Sequence, residues 1–416
     1  MAVSPRLDAV AESSDRDERT VDEHRRTILA AVRRLDHLTL PLAEAQAYTL
    51  AAPVRAAIDL PPFDNSAMDG FAVRFTDVAA ASAASPALLR VVGDLAAGSP
   101  YEAVCGPGEA VRIMTGAPLP SGADTVVPFE ATGGGLADSL GTARVVEAPR
   151  RIGAHIRRRG EDAAAGTELI PAGVELGPLQ LSAIATAGVP VVSVSRRPRV
   201  AVIATGDELV APGSAIGRAQ IPESNSLLLS AQARAAGAEV ILQRRVRDVD
   251  DDLRAAIHDA ATSGSDAVIT SGGVSAGAFE VVRTALAEMT FVRVAMQPGR
   301  PQGFAAGHPL LFGLPGNPQS AAVSFEVFVR PALLAMQGRT RTDRRMLRLP
   351  AATGWRSRRE RVQYMPVVLV EDGVTPAAAE GSSRAAGLAG AAGYAVVPVG
   401  VGDVHAGDLL DVMLLP

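Results

Sequence analysis

The sequence predicts an α/β multidomain protein: a central doubly wound parallel-sheet domain, a helical linking domain, a small β-rich domain and a C-terminal all-β domain. Three observations carry the prediction. Over residues 196–338, short apolar runs alternate with helical stretches at the spacing of a parallel sheet covered on both faces. Over 63–149, short β-type runs are separated by Gly and Pro turns. Over 339–416, strand-type runs recur without a helical period.

The elements follow in chain order. Residues 1–20 are polar and mixed in charge and are expected to be a disordered start. From Val21 to Leu35, Val21, Ile28, Leu29, Val32 and Leu35 recur at helical spacing, and Thr20 with Glu23 resembles a capping box. A short second helix is expected after Pro41. Residues 21–62 and 150–195 are assigned to the linking domain. Pro61, Pro62 and Gly70 around Asp64-Asn65-Ser66 mark a long ordered loop.

In the central domain, Val200-Ala201-Val202-Ile203 reads as a strand buried on both faces. A helix from about Ser226 to Gly237, a strand at Val240-Ile241-Leu242 and a helix from Asp248–Asp252 to about Thr262 follow. Ala267-Val268-Ile269 and Leu310-Leu311-Phe312 are further strands, a helix is expected after Gly277, and Pro315-Gly316-Asn317-Pro318 opens the last helix.

The 416 residues predict two to four domains, at roughly 100–200 residues each. With 48% apolar and 20% charged residues the chain is of ordinary globular type. Its single cysteine, Cys105, excludes an internal disulfide, a thiolate zinc site or an iron–sulfur cluster. The net charge of −5 argues against nucleic-acid binding through bulk electrostatics. All 40 basic residues are arginine, which excludes a Walker A loop and any Schiff-base or general-base lysine. No signal peptide and no apolar run of membrane-spanning length is read, so a cytoplasmic location without membrane contact is expected.

In an open parallel sheet the ligand crevice lies outside the C-terminal strand ends. Four segments converge there: Thr205-Gly206-Asp207-Glu208, Asp248, Gly272-Gly273-Val274-Ser275, and Pro315-Gly316-Asn317-Pro318. Glycine-bearing loops at helix N-termini present N–H groups to phosphate or another oxyanion. One such loop alone is ordinary turn chemistry; several on one edge point to a site. Glu208, Asp248 and Glu280 would repel an anion unless a hard cation such as Mg²⁺ bridges them to it. Asp248 could equally cap a helix. Gln297-Pro298-Gly299-Arg300-Pro301 is a rigid turn whose arginine could clamp an oxyanion, although a solitary arginine is more often a solvated surface residue. The six histidines show no metal-ligand spacing, and Ser275 has neither a histidine partner nor a nucleophile elbow.

Six motifs then carry a resemblance. They are Pro62-Phe63-Asp64-Asn65-Ser66-Ala67-Met68-Asp69-Gly70-Phe71-Ala72-Val73, Arg112-Ile113-Met114-Thr115-Gly116-Ala117 and Arg157-Arg158-Arg159-Gly160-Glu161-Asp162, followed by Thr205-Gly206-Asp207-Glu208-Leu209, Ser271-Gly272-Gly273-Val274-Ser275 and Leu314-Pro315-Gly316-Asn317-Pro318. In this order they resemble the bacterial molybdopterin molybdenumtransferases, related to the C-terminal part of gephyrin. The resemblance implies an elongated four-domain homodimer with a molybdopterin-binding α/β domain. It implies an enzyme that inserts molybdate into adenylylated molybdopterin with Mg²⁺ and releases AMP. Asp69, Glu208, Asp248 and Glu280 become catalytic residues, with Asp248 and Glu280 holding Mg²⁺. Asp69 and Thr115 of one subunit would face the crevice of the other. Arg157, Asp162, Thr205, Gly206, Asp207, Gly272, Gly273, Ser275, the Gln297–Arg300 turn and the Pro315–Pro318 loop become substrate-binding. Transient contact with a molybdopterin adenylyltransferase and with molybdoenzyme maturation proteins is also implied.

The chain departs from the family in three places. Glu280 stands where aspartate is usual. The family's Lys-Pro-Gly-Lys-Pro is Gln297-Pro298-Gly299-Arg300-Pro301 here. The tail's Gly-Ser-His motif is Gly381-Ser382-Ser383, with Ser382 and Arg361 as its matching functional positions. Two other readings compete with molybdenum insertion: a molybdopterin adenylyltransferase, which shares the sheet domain, and a non-catalytic molybdopterin carrier or scaffold.

Overall fold

The computed structural model describes residues 18–135, 140–273, 282, 286, 288–377 and 388–415. Ser275, Glu280 and Ser382, and the helix expected after Gly277, lie outside the described residues.

The central sheet has seven strands in the order Glu18–Arg19, Thr290–Val294, Pro301–Ala305, Leu310–Leu314, Ala267–Ser271, Arg199–Thr205 and Glu239–Val246. The last four run parallel, as read from the sequence. The sheet is not parallel throughout, however. Thr290–Val294 pairs antiparallel with Pro301–Ala305, which pairs antiparallel with Leu310–Leu314. Connections 295–300 and 306–309 are too short for a parallel crossover, which needs about a dozen residues. Val200, Ala201, Val202 and Ile203 are fully buried. One sheet face packs on Leu229, Ala233, Phe325 and Leu333, the other on Leu253, Ala256 and Ala260, so the domain is wound on both sides.

Two expectations about the start of the chain need correction. Glu18 and Arg19, placed in the disordered start, form an edge strand parallel to Thr290–Val294, and Ala295 N–H donates to the Arg19 carbonyl at 2.8 Å. The helix Val21–Ala31 has the expected Thr20/Glu23 capping box. Its place in the chain groups it with the linking domain, yet its buried face belongs to the α/β core: Ile28 joins that cluster, and His24 meets Phe328 edge-on at 4.8 Å.

Burial pushes the His24 imidazole down to about 4 from its ordinary 6.5, with Arg19 adding to the effect. Between those values the unfolded chain binds a proton that the folded chain refuses, so stability is full above 6.5 and falls on acidification. The loss amounts to about 3 kcal/mol by pH 4. His24→Phe is expected to remove most of that pH dependence, measured as urea midpoints at pH 7 and pH 4.5; an unchanged slope would place the acid sensitivity elsewhere.

On the same face, the helix Pro318–Ser324 passes through a π-helical turn at Phe325–Val329 into the helix Arg330–Met336. The turn buries Glu326, which is only 4% exposed. Arg344 donates to its two oxygens at 2.8 and 3.2 Å, Gln232 donates at 3.3 Å, and Arg330 lies 3.8 Å away.

The linking domain is built from ribbons more than helices. His37–Pro41 pairs with Val191–Ser195, Val54–Arg55 with Glu168–Ile170, and Asn65–Ser66 with Ile156–Arg157, all antiparallel. Its helical elements among the described residues are Pro178–Thr186 and a 3₁₀ turn at Leu42–Glu44, the second matching the short helix expected after Pro41. Alternation in His37-Leu38-Thr39-Leu40 and Val191-Val192-Ser193-Val194 favours a half-buried ribbon. Leu50, Leu176, Ile184 and Val194 form its core.

Between the ribbon strands the chain leaves to form the small β domain. Its five-stranded sheet has the order Thr125–Pro128, Gly70–Val73, Glu109–Ile113, Ala87–Leu95 and Thr142–Val145. The C-terminal domain is all-β among the described residues: Met346–Pro350, Val362–Val370, Gly373–Pro376, Gly393–Val397 and Leu409–Leu414. Met296–Gln297 from the central domain extends this sheet, parallel to Val362–Gln363.

Candidate functional site

The structure gathers the expected site residues into three groups. The first lies at the C-terminal edge of the parallel strands. The Thr205 hydroxyl donates to Asp248 Oδ1 at 2.5 Å, and the Asp248 amide donates to Asp207 Oδ1 at 3.2 Å. The following helix starts at Asp250, with Val249 at its cap position and no side-chain cap. Asp248 is therefore not that helix's cap, and its carboxylate is bonded to Thr205, the last residue of the neighbouring strand. Asp207 and Glu208 are exposed beside it.

The two other glycine loops abut this one. Gly272 has φ +101, and a Cβ there would lie 2.5 Å from the Thr205 carbonyl oxygen, so only glycine fits. A Cβ on Gly316 would stand 3.5 Å from the Gly272 Cα. Asn317 caps the last helix by accepting from Gln319 and Ser320 amides at 3.0 and 3.3 Å.

Sequence reasoning missed Asn225. Its Nδ2 donates to Ser271 Oγ and to the Gly316 carbonyl, both at 2.7 Å, tying the two glycine loops together. Its Oδ1 is buried without a hydrogen-bond partner. An asparagine at a helix start is too common a signal to reveal that role.

The second group belongs to the small β domain and its ribbon. Asp69 Oδ1 accepts from the Thr115 amide at 2.7 Å and from the Thr115 hydroxyl at 2.8 Å. The amide first, then the hydroxyl, hold the Asp69 carboxyl below its ordinary range, so it is ionised at neutral pH. Gly116 N–H donates to the Ser66 carbonyl at 2.8 Å, and Ser66 pairs with Ile156. Arg157 pairs in register with Asn65 and is exposed, as is Asp162. Asp64 accepts from Arg158 Nη1 at 2.6 Å and from the Arg159 amide at 2.8 Å, which locks this loop to the ribbon.

The third group is the Gln297–Arg300 turn. Gln302 Nε2 donates to the Gly299 carbonyl at 2.6 Å and to Ser324 Oγ at 2.7 Å, fixing the turn on the helix behind it. Arg300 is not a solvated surface arginine: its Nε donates to Glu18 Oε1 at 2.7 Å. Arg361 Nε stands 3.8 Å from the same oxygen. Gln297 Oε1 and Arg361 Nε are buried without hydrogen-bond partners.

Residues 19–188 match the MoeA N-terminal region (domain I and II), 201–335 a probable molybdopterin binding domain, and 348–415 the MoeA C-terminal region (domain IV). The chain is 45% identical over 331 residues to molybdopterin molybdenumtransferase 2 of Mycobacterium tuberculosis H37Rv, covering 77% of this chain and 80% of that one. The chain belongs to the molybdopterin molybdenumtransferase family. Molybdopterin molybdenumtransferase 1 of the same organism is 35% identical over 433 residues, covering 95% of this chain and 99% of its own. Among solved structures, a molybdopterin biosynthesis MoeA protein of Pyrococcus horikoshii superposes with TM-score 0.78 at 30% identity, covering 95% of this chain and 99% of that one. Within this molybdenumtransferase fold, the probable molybdopterin binding region contains both the glycine-loop crevice and the Gln297–Arg300 turn. The N-terminal region contains Asp69, Thr115 and Arg157, and the C-terminal region contains Arg361.

Proposed function

We propose that the chain inserts molybdate into adenylylated molybdopterin and releases AMP, acting as a homodimer in the cytoplasm. The observation that carries this is the crevice at the strand ends, where Asn225 ties two glycine loops together and Asp248 lies against the third. N–H groups fixed in advance stabilise phosphate charge without reorganisation during reaction. The loops at Gly206, Gly272, Gly273 and Gly316 would hold the AMP–pterin phosphates. Family membership and the matched molybdopterin-binding region support the substrate. No described helix is long and apolar enough to cross a membrane.

The donor set at the crevice suits Mg²⁺ in kind, since Asp248 and its neighbour Asp207 offer hard carboxylate oxygens. Among the described residues no group of three metal-capable side chains occurs, so Glu280, outside them, is the further ligand this reading requires. Bound Mg²⁺ would neutralise phosphate charge as the phosphoanhydride is cleaved. Asp248 is oriented by the Thr205 hydroxyl. Asp69, ionised and aimed by Thr115, is a fixed acceptor for ligand N–H or O–H groups; Arg157 lies on the ribbon that supports it, and Asp162 lies just after, its amide donating to the Leu60 carbonyl. Arg300, Gln297 and Arg361 would take the molybdate oxyanion, Arg300 with two donors in one plane.

Incubation with adenylylated molybdopterin, molybdate and Mg²⁺, with AMP followed by chromatography, tests the reading. AMP release that depends on molybdate and on Mg²⁺ is expected. Release no faster than in protein-free controls would refute it.

A further inference from the structure

The third group contains a residue that no family motif supplied. Glu18 places one carboxylate oxygen 2.7 Å from Arg300 Nε and 3.8 Å from Arg361 Nε. Its side chain is only 16% exposed. A carboxylate between two guanidinium groups has the charge and donor demand of a bound oxyanion. Beside it, the amide of Gln297 has a buried oxygen without a partner. Glu18 sits at the sheet edge, where Glu18 is registered with Arg293 and Arg19 with Val294, and the Arg19 carbonyl accepts from the Ala295 amide. An edge residue paired on one side only can leave its neighbour by local opening, without loss of the sheet.

We propose that Glu18 is an internal competitor for the oxyanion site. Its carboxylate occupies the Arg300–Arg361 pair in the resting chain and leaves when a tetrahedral oxyanion binds. Glu18 thereby sets the oxyanion concentration at which the site fills. The inference rests on reading the Gln297–Arg300 turn as the oxyanion site. A ligand that must first displace a bound group has its apparent affinity lowered by the fraction of chains in which the site is open. Molybdate, a dianion, regains both guanidinium contacts and is the kind of ligand able to complete the exchange.

Equilibrium dialysis of labelled molybdate against the full-length protein tests this. Glu18→Gln, nearly isosteric, is expected to tighten molybdate binding about tenfold, the scale of one lost charge-assisted hydrogen bond. Glu18→Ala should do the same, which guards against a special effect of the amide. Arg300→Gln should weaken binding, and adding Glu18→Gln to it should then change little, because the two residues act through one contact. If both Glu18 variants bind molybdate no more tightly than the unaltered protein while Arg300→Gln still loses it, Glu18 is structural and the oxyanion site stands. If neither Arg300→Gln nor Arg361→Gln affects binding, the oxyanion site is elsewhere and the inference falls with it.

Discussion

Asp69→Ala and Asp248→Ala proteins, each reduced about 10²–10³-fold in AMP release alone, are expected to recover activity when mixed and allowed to exchange subunits. Asp69 is fixed inside the small β domain by Thr115, whereas Asp248 is fixed at the sheet crevice by Thr205. In a dimer whose sites combine one domain from each protomer, a mixed dimer carries one doubly altered site and one intact site. Random exchange at equal concentrations then returns about a quarter of the unaltered activity, half the dimers being mixed with one working site in two. Absence of recovery in a demonstrated mixed dimer would show that each site is made by a single chain.

The largest stability effect is expected at Glu326. This carboxylate is buried in the π-helical turn and receives Arg344, Gln232 and, at longer range, Arg330. Burial, ahead of the neighbouring Arg344 charge, pushes the Arg330 guanidinium down to about 10, and the Glu326 carboxylate opposes that shift. Glu326→Ala leaves two guanidinium groups without their anion and should cost about 3–5 kcal/mol, read as a lower urea midpoint. Replacing all three charges together, as Glu326→Leu with Arg330→Met and Arg344→Met, should restore most of that loss, because the apolar set carries no desolvation penalty. A loss under about 1 kcal/mol in the single variant would mean that water reaches the turn and screens the pair.

What the sequence discloses of this molecule follows from the range of the forces involved. Val200–Ile203 announces a doubly covered strand because burial on both faces leaves no polar position in the run. The capping box at Thr20 and Glu23 and the Asn317 cap are equally local and equally legible. The antiparallel stretch Thr290–Ala305 is not, since strand direction depends on loop length and neighbours as well as on residue type. The helix Val21–Ala31 shows its period but not the surface it covers; the burial of Ile28 in the α/β core and the His24–Phe328 contact show which domain owns it. At the site, the glycine loops are visible one by one. Their union through Asn225, the Asp248 contact with Thr205 and the seat of Glu18 between two arginines each join residues far apart in sequence, and no local pattern encodes them.

The paired ribbons have a consequence for how this architecture can change over time. Ser66 faces Ile156 and Asn65 faces Arg157, so the whole small β domain departs and returns at one point. Its two ends are close enough for a short turn to bridge. The domain is thus a cassette: it can be excised, or exchanged for another body with neighbouring termini, without rethreading the linking ribbons or the central sheet. Because it carries Asp69 and Thr115, such an exchange would replace those two residues while leaving the glycine-loop crevice of the central domain unchanged.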